Sequence, residues 1–172
     1  TGGAAGLSVT TGVSNSFFGK SAGQDNTTGR LNSFMGNASG RYNVVGQKNS
    51  FFGTKSGFNN DGTLNSIFGY EAGLGTVGGD SNAFFGGRTG TNNVSGSKNS
   101  AFGDSANFDS GGLSYATVVG ADAMVTASNT IQLGRSGFDV TSLGALGVIT
   151  DPFPMPGDNG LPMFDFTLLC TN

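Results

Sequence analysis

A repeat of about 17 residues constrains the fold of this chain more than any other feature. The segment Asn-Ser-Phe-Phe-Gly begins at Asn15, and variants of it follow along the chain, beginning at Asn32, Asn49, Asn65, Asn82 and Asn99. The glycines of the closing position are spaced by 17, 17, 16, 17, 17 and 17 residues and are Gly19, Gly36, Gly53, Gly69, Gly86, Gly103 and Gly120. Self-similarity at a fixed period of this kind is the signature of a solenoid, in which each repeat packs against its neighbours.

The composition of the repeat favours β structure over helices. Gly accounts for 32 of the 172 residues, and Gly is a poor residue for a helix interior. Seventeen residues are enough for two or three short strands joined by tight turns, so the repeat predicts one coil of an all-β solenoid, with coils stacked about 4.8 Å apart. We expect the glycines to serve corners with positive φ, and Asn to be the next best residue there. Asn residues in register are also expected to form amide ladders along the stack.

Two neighbouring apolar columns run through the repeats. The first column contains Phe17, Phe34, Phe51, Ile67 and Phe84, followed by Ala101 and Val118. The second contains Phe18, Met35, Phe52, Phe68, Phe85 and Phe102, followed by Val119. Because adjacent strand residues point to opposite faces, a slender coil is predicted to bury one column and to turn the other outward, where only an interface between subunits would cover it. The alternative, in which a wider coil turns both columns inward at a bulge, stays open at this point.

The chain divides into two predicted regions. A β-solenoid domain is expected over residues 1–137, and it starts within a repeat, so we expect a further repeat or another module to precede Thr1 in the natural gene product. Residues 138–172 contain all four prolines and are predicted to form a cap over the last coil or a docking segment. The candidate docking residues are Phe153, Phe164 and Phe166.

Two groups of surface residues stand out in the repeat. Lys55, Glu71 and Arg88 are expected on consecutive coils with alternating charge, which is favourable between neighbouring strands; the alternative is that they are solvated charges with no energetic consequence. Residues in the predicted exposed turns are the candidates for contact with a receptor, and these are Asn26, Tyr42, Asn59, Asn60 and Asn92.

The sequence offers little for catalysis or for charged ligands. It contains no His, one Cys and a net charge of −3, so His-dependent catalysis is excluded and no cofactor or metal site is expected. No basic stripe is present for a nucleic acid to bind, and no apolar segment approaches the roughly 20 residues of a membrane-spanning helix. The predictions are therefore a non-enzymatic protein, no nucleic-acid partner and no membrane span.

The repeat resembles a known family. The run Asn-Ser-Phe-Phe-Gly-x-x-Ala-Gly from Asn15, followed by Asn-Thr-Thr-Gly, is similar to the head repeats of trimeric autotransporter adhesins and to repeats of bacteriophage tail fibres. The resemblance covers residues 2–137 and implies a left-handed parallel β-roll, assembled as an intertwined or side-by-side homotrimer. The period of 17 is longer than that of the adhesin coils, so a triangular coil with three faces per turn stays open as an alternative.

Together these patterns predict a structural or attachment protein. The leading interpretation is a trimeric fibre or head module on the surface of a phage or bacterium, extracellular or on a virion, that mediates or spaces attachment to a host. Its expected partners are two further copies of the chain, a neighbouring structural protein, and a cell-surface receptor or glycan. The alternative is a capsid decoration (cement) protein or filament subunit that docks through its carboxy-terminal tail. A polysaccharide-cleaving solenoid is the third class.

Overall fold

The protein is seen in a computed structural model that describes residues 3–137; the predicted cap or docking segment at 138–172, with Phe153, Phe164 and Phe166, lies outside the described residues. Within residues 3–137 the chain contains ten short strands and no helix. The strands are β1 (Ser16–Phe18), β2 (Ser33–Met35), β3 (Ser50–Phe52), β4 (Ser66–Phe68), β5 (Ala83–Phe85), β6 (Ser100–Phe102), β7 (Asn107–Phe108), β8 (Thr117–Val119), β9 (Met124–Val125) and β10 (Ile131–Leu133).

The strands stack in parallel at the spacing of the repeat. In the described part of the chain, eight of them form one sheet in the order β1-β2-β3-β4-β5-β6-β8-β10, and β7 pairs with β9. Phe17 lies opposite Phe34, and Phe34 lies opposite Phe51, so equivalent residues are in register. The 16-residue step keeps the same register, because Ser50 pairs with Ser66. The prediction of a parallel β-solenoid with coils about 17 residues apart is confirmed, whereas its left-handed sense and its assembly as a trimer stay predictions.

Each of the first five coils contains one strand, so the expectation of two or three strands per coil is wrong for them. The rest of the coil is bent, yet it still bonds to the next coil through the main chain. The Gly23 N–H donates to the Ser39 carbonyl at 2.9 Å, and the Thr27 N–H donates to the Val44 carbonyl at 2.9 Å. Turns stacked in register therefore provide inter-coil hydrogen bonds that strands would otherwise have provided.

The corner glycines have the positive φ that the sequence predicts, but Asn does not replace them. Gly53 has a φ of 133°, and the other corner glycines lie between 126° and 144°. Among residues 3–137 the only Asn with a positive φ is Asn129. Two other columns adopt the left-handed region instead, one containing Ser21, Ala38, Lys55, Glu71, Arg88, Ser105 and Asp122, the other containing Ser14, Leu31, Lys48, Leu64, Ser81, Lys98, Tyr115 and Asn129.

The left-handed residues are held in place by the stack. Such a conformation is unfavourable for a residue with a Cβ and persists where surrounding contacts determine it. The Lys55 N–H donates to the Asn37 carbonyl at 2.8 Å, and the Leu64 N–H donates to the Gln47 carbonyl at 3.0 Å. Each left-handed residue therefore pairs with the coil before it, and the fold tolerates a side chain where the sequence pattern favours Gly or Asn.

A further glycine column is required by close packing between coils. Gly29 and Gly46 have no positive φ, contrary to the expectation that the repeat glycines serve only corners of that kind. A Cβ on Gly29 would meet the Gly46 carbonyl oxygen of the next coil at 2.5 Å, and it would also overlap the Asn26 side chain. Gly is therefore needed at this column because the coils approach each other too closely for any side chain.

The buried asparagines join the coils through their side chains. Asn32 donates from Nδ2 to the Gly46 carbonyl at 2.8 Å and accepts on Oδ1 from the Asn49 N–H at 3.0 Å. The same pair of bonds recurs at Asn49, Asn65 and Asn82. The expected ladder is therefore made mainly from amide-to-main-chain bonds, although Asn26 Nδ2 does donate to Asn43 Oδ1 at 3.1 Å.

Two of the turn residues that the sequence placed on the surface lie in the interior. Asn26 and Asn60 have no exposed surface, so their interpretation as receptor contacts is wrong. Burial of an amide is tolerated here because the stacked main chain supplies bonding partners. Tyr42 and Asn92 are exposed and Asn59 is half-buried.

A candidate assembly surface

The two apolar columns occupy opposite sides of the large sheet. Phe34, Phe51, Ile67, Phe84, Ala101 and Val118 are fully buried, and Phe17, at the amino-terminal end, is half-buried. We call the second column the outer ladder; it comprises Phe18, Met35, Phe52, Phe68, Phe85, Phe102 and Val119. Its residues are exposed or half-buried, with Phe18 at 60% and Phe102 at 41%. A coil with both columns turned inward is therefore not the observed arrangement.

Stacking on neighbouring coils fixes the aromatic rings of the outer ladder. The Phe52 and Phe68 centroids lie 4.9 Å apart with an interplanar angle of 3°, and Phe68 stacks on Phe85 at 4.9 Å and 7°. Phe85 and Phe102 continue the stack at 5.4 Å and 6°. Because the ring faces are used within the stack, the ladder presents ring edges to its surroundings.

The chain on either side of each strand holds the outer ladder rigidly. The corner glycine follows the ladder residue directly, and the Gly69 N–H donates to the Phe52 carbonyl at 2.8 Å. The buried Asn65 precedes β4 by one residue and bonds to the coils on both sides. A three-residue strand fixed at both ends loses little further conformational entropy when its surface is covered.

The sheet face beside the outer ladder carries small polar residues. Ser33, Ser50, Ser66 and Ser100 share this face because they lie two positions before a ladder residue. Near Met35, where the aromatic stack is interrupted, a shallow depression of about 150 Å³ is lined by Ser16, Phe18, Ser33, Phe34, Met35 and Phe52. The surface is thus a low, apolar ridge with a small polar margin and one depression.

The exposed apolar area is large for one soluble chain. With roughly a third to a half of each ring uncovered, the ladder exposes on the order of 500 Å² of contiguous apolar surface. This is near the upper end of the largest patch that a typical monomer carries, and such patches commonly mark interaction sites. The ladder is accordingly the strongest candidate for a functional surface in residues 3–137.

The sequence analysis did not include one member of the outer ladder. Leu133 in β10 lies opposite Val119 in β8 and extends the same column. The segment from Asn129 to Gly134 resembles a closing repeat, and counting back one residue from Gly134 would have found it. The irregular 14-residue step from Gly120 to Gly134 hid this equivalence.

The predicted column of alternating charge is present in part. Lys55 Nζ lies 3.1 Å from Glu71 Oε1. The hydrogen bond from Lys55 lowers the pKa of the Glu71 carboxyl below its usual value, against a small opposing effect of desolvation, and Tyr70 and the Arg88 charge add to the lowering. Arg88 forms its ion pair with Asp104, at 3.8 Å, rather than with Glu71. These exposed pairs order the edge of the stack but contribute little to stability.

The described part of the chain offers no evident catalytic or metal centre. No group of three His, Cys, Asp or Glu side chains occurs within residues 3–137 that could hold a metal ion. The same residues contain no helix of the length and hydropathy that crossing a bilayer requires. Comparison with protein-family models, with curated proteins and with solved structures found no match to this chain.

Proposed function

We propose that this protein is a non-enzymatic structural module whose copies assemble side by side through the outer ladder. The supporting observation is a continuous column of stacked, exposed rings on a sheet that the coils hold rigid. A second copy of the chain carries the same column at the same spacing, so two ladders can pack along their whole length. Each covered ring contributes about 1–2 kcal/mol from the apolar area removed from water.

The proposed number of copies is three. The resemblance of the repeat to trimeric adhesin heads and phage tail fibres is the basis for this number, and a closed ring of identical interfaces satisfies every ladder at once. The left-handed sense of the solenoid is proposed on the same basis.

The proposed setting is the surface of a phage or a bacterium. A stack of in-register coils held by main-chain bonds, buried amides and stacked rings makes a stiff spacer, which suits an extracellular fibre or head that attaches to a host or holds a binding tip away from its base. The absence of His from the sequence agrees with a structural rather than a catalytic role. Antibodies against the solenoid should label intact particles or cells; label confined to lysed material would contradict this setting.

The assembly is tested by the mass of the protein in solution. Light scattering should give about 52 kDa for three copies of the 17.3-kDa chain. The variant Phe68→Lys places a charge in the middle of the ladder and should shift the mass at micromolar concentration to that of one chain. A folded spectrum is required of this variant, and Phe102→Lys, at a more exposed position of the ladder, provides a second test.

The matched control lies in the same coil as Phe68. Leu64 is 53% exposed and belongs to the left-handed column in which Lys48 and Lys98 occur naturally. Leu64→Lys therefore changes charge and exposed apolar area equally but leaves the ladder intact, so the oligomer should persist. A wild-type monomer, or equal dissociation by Phe68→Lys and Leu64→Lys, would reject the proposed interface.

A further inference from the structure

The amino-terminal face of the solenoid differs from every other junction between the regular coils. Phe34 and Asn32 are fully buried, like their equivalents in the following repeats. Phe17 and Asn15 are the members of these two columns that are only half-buried. No described strand pairs with the other edge of β1, so the ring and the amide at this end lack the covering coil that their equivalents have.

An open pocket lies over the uncovered ring. Its volume is about 400 Å³, and it is lined by Ala5, Gly6, Val9, Gly12, Ser14, Asn15 and Phe17. An apolar cavity of about 150 Å³ is enough to bind benzene, so this pocket has room for an aromatic side chain together with part of its main chain. One wall is the outer face of the Phe17 ring, whose opposite face stacks on Phe34 at 5.1 Å.

The main chain at the pocket has unused bonding groups of known pattern. At the next junction the Asn32 N–H donates to Asn15 Oδ1 at 3.0 Å, and the Asn32 carbonyl accepts from the Ser16 N–H at 2.8 Å. The equivalent groups of Asn15, its N–H and its carbonyl, have no partner among residues 3–137. A covering strand with an Asn side chain followed by a Ser main-chain N–H would satisfy both.

The register shows where such a strand would connect. The Ser21 N–H donates to the Gly3 carbonyl at 3.0 Å, just as the Ala38 N–H donates to the Lys20 carbonyl at 2.8 Å. Gly3 therefore stands in the register of Lys20. Counting back along the coil, the register positions of Asn15, Ser16 and Phe17 fall on three residues joined directly before Thr1.

We propose that this face is an acceptor site for one further parallel strand, Asn-Ser-Phe, connected to the chain immediately before Thr1. Its Asn Oδ1 accepts from the Asn15 N–H, its Ser N–H donates to the Asn15 carbonyl, and its Phe ring stacks on Phe17 in the pocket. The site continues the coil-to-coil interface that the solenoid repeats along its axis. It is independent of the proposed lateral assembly, which uses the opposite side of the sheet.

The experiment adds three residues to the full chain. With Asn-Ser-Phe placed before Thr1, hydrogen exchange of the Asn15 amide should slow at least tenfold, and the thermal midpoint at fixed protein concentration should rise by about 4 °C. The matched control adds Asn-Phe-Ser, which has the same composition but places the ring in the outward register. It should leave the exchange of Asn15 and the midpoint close to those of the parent.

Two results would overturn the proposal. One is an equal effect of Asn-Ser-Phe and Asn-Phe-Ser, which would show that any added residues act on this end. The other is faster exchange of the Asn15 amide when residues 151–172 are removed from the unextended chain, which would show that the tail of the chain occupies the site. Substituting Phe17→Ala in the extended protein should abolish the rise in midpoint, because the added ring then has no ring to stack on.

Discussion

At the scale of single residues, Asp61 shows how this fold tolerates an irregular repeat. In a regular coil one main-chain carbonyl accepts two N–H groups, as Val44 does from Thr27 at 2.9 Å and from Thr28 at 3.2 Å. In the 16-residue step the Val45 and Gly46 N–H groups both donate to Asp61 Oδ1, at 2.6 and 2.9 Å. The side-chain oxygen therefore replaces the carbonyl that the missing residue would have carried.

The substitution Asp61→Ala should destabilise the protein for this reason. It leaves the Val45 and Gly46 N–H groups without an acceptor, and the expected loss in free energy of unfolding is about 1–3 kcal/mol. Urea unfolding of the two proteins measures the difference. Asp61→Asn retains the Oδ1 acceptor and should lose clearly less; equal losses for Ala and Asn would contradict the role assigned to this oxygen.

The sequence predicts these residues unevenly. The spacing places the one-residue deletion between Gly57 and Gly62, in a bent segment as expected, but no pattern in one chain reveals that Asp61 would bond back across it. The asparagines were misplaced for a related reason. Their local preference favours exposed left-handed turns, whereas the stack offers Asn26 and Asn60 buried bonding partners, and tertiary context prevails over such preferences.

At the scale of the coil, the inner column and one glycine column are coupled in volume. A Cβ on Gly57 would lie 2.7 Å from the Phe51 ring of its own coil, and a Cβ on Gly40 would lie 2.5 Å from the Phe34 ring. In the sixth strand the ring is replaced by Ala101, and the residue at the glycine position becomes Asn107. Phe108 then fills the space and lies 5.6 Å from Phe84. A large residue at one position therefore requires a small one at the other.

This coupling predicts a double-mutant cycle at Phe51 and Gly57. Gly57→Ala alone should cost more than about 2 kcal/mol, because it combines a steric clash with a φ of 57°. Phe51→Ala alone should cost about 3–5 kcal/mol through the cavity it creates. In the double variant the clash is absent, so the two costs should fall short of additivity by about 1 kcal/mol or more. Chemical denaturation of all four proteins gives the interaction energy.

The control for the cycle uses a glycine that contacts no inner ring. A Cβ on Gly62 would meet the Gly79 carbonyl of the next coil, so Gly62→Ala should be destabilising whether or not Phe51 is present. Additive costs at Phe51 and Gly57, or equal coupling at Gly62, would contradict the pairing of ring and glycine.

The sequence predicts the coil's period and the division of the two columns because both follow from direct geometric rules. A fixed spacing sets the register, and alternation along a strand separates Phe51 from Phe52. The number of strands per coil was not predictable in this way. Lys55 and Leu64 adopt left-handed conformations that their side chains disfavour, and these bends, which shorten the strands, arise from bonds to the neighbouring coil.

At the scale of the whole solenoid, the structure is a column of similar coils whose contacts are almost all between neighbours. Stability in such a molecule is close to a sum of coil and junction contributions. The exposed and buried faces are set by register alone, because a shift of one residue exchanges them. The length of the column is therefore adjustable in whole coils, while a change of any other size conflicts with the sheet.

Removing residues 33–49 tests this property, because it joins Asn32 to Ser50 and deletes one complete coil. β1 would then pair with β3, with Phe17 stacked on Phe51 and Phe18 on Phe52, so the chain should fold, unfold cooperatively and shorten by about 4.8 Å in small-angle scattering. Removing residues 33–48 instead leaves one extra residue before β3, which must bulge or turn Phe51 outward. That variant should lose at least about 3 kcal/mol more, since a fully buried ring and the adjacent amide bonds are both displaced. Equal stability of the two deletions would mean that register does not determine which face of the sheet is buried.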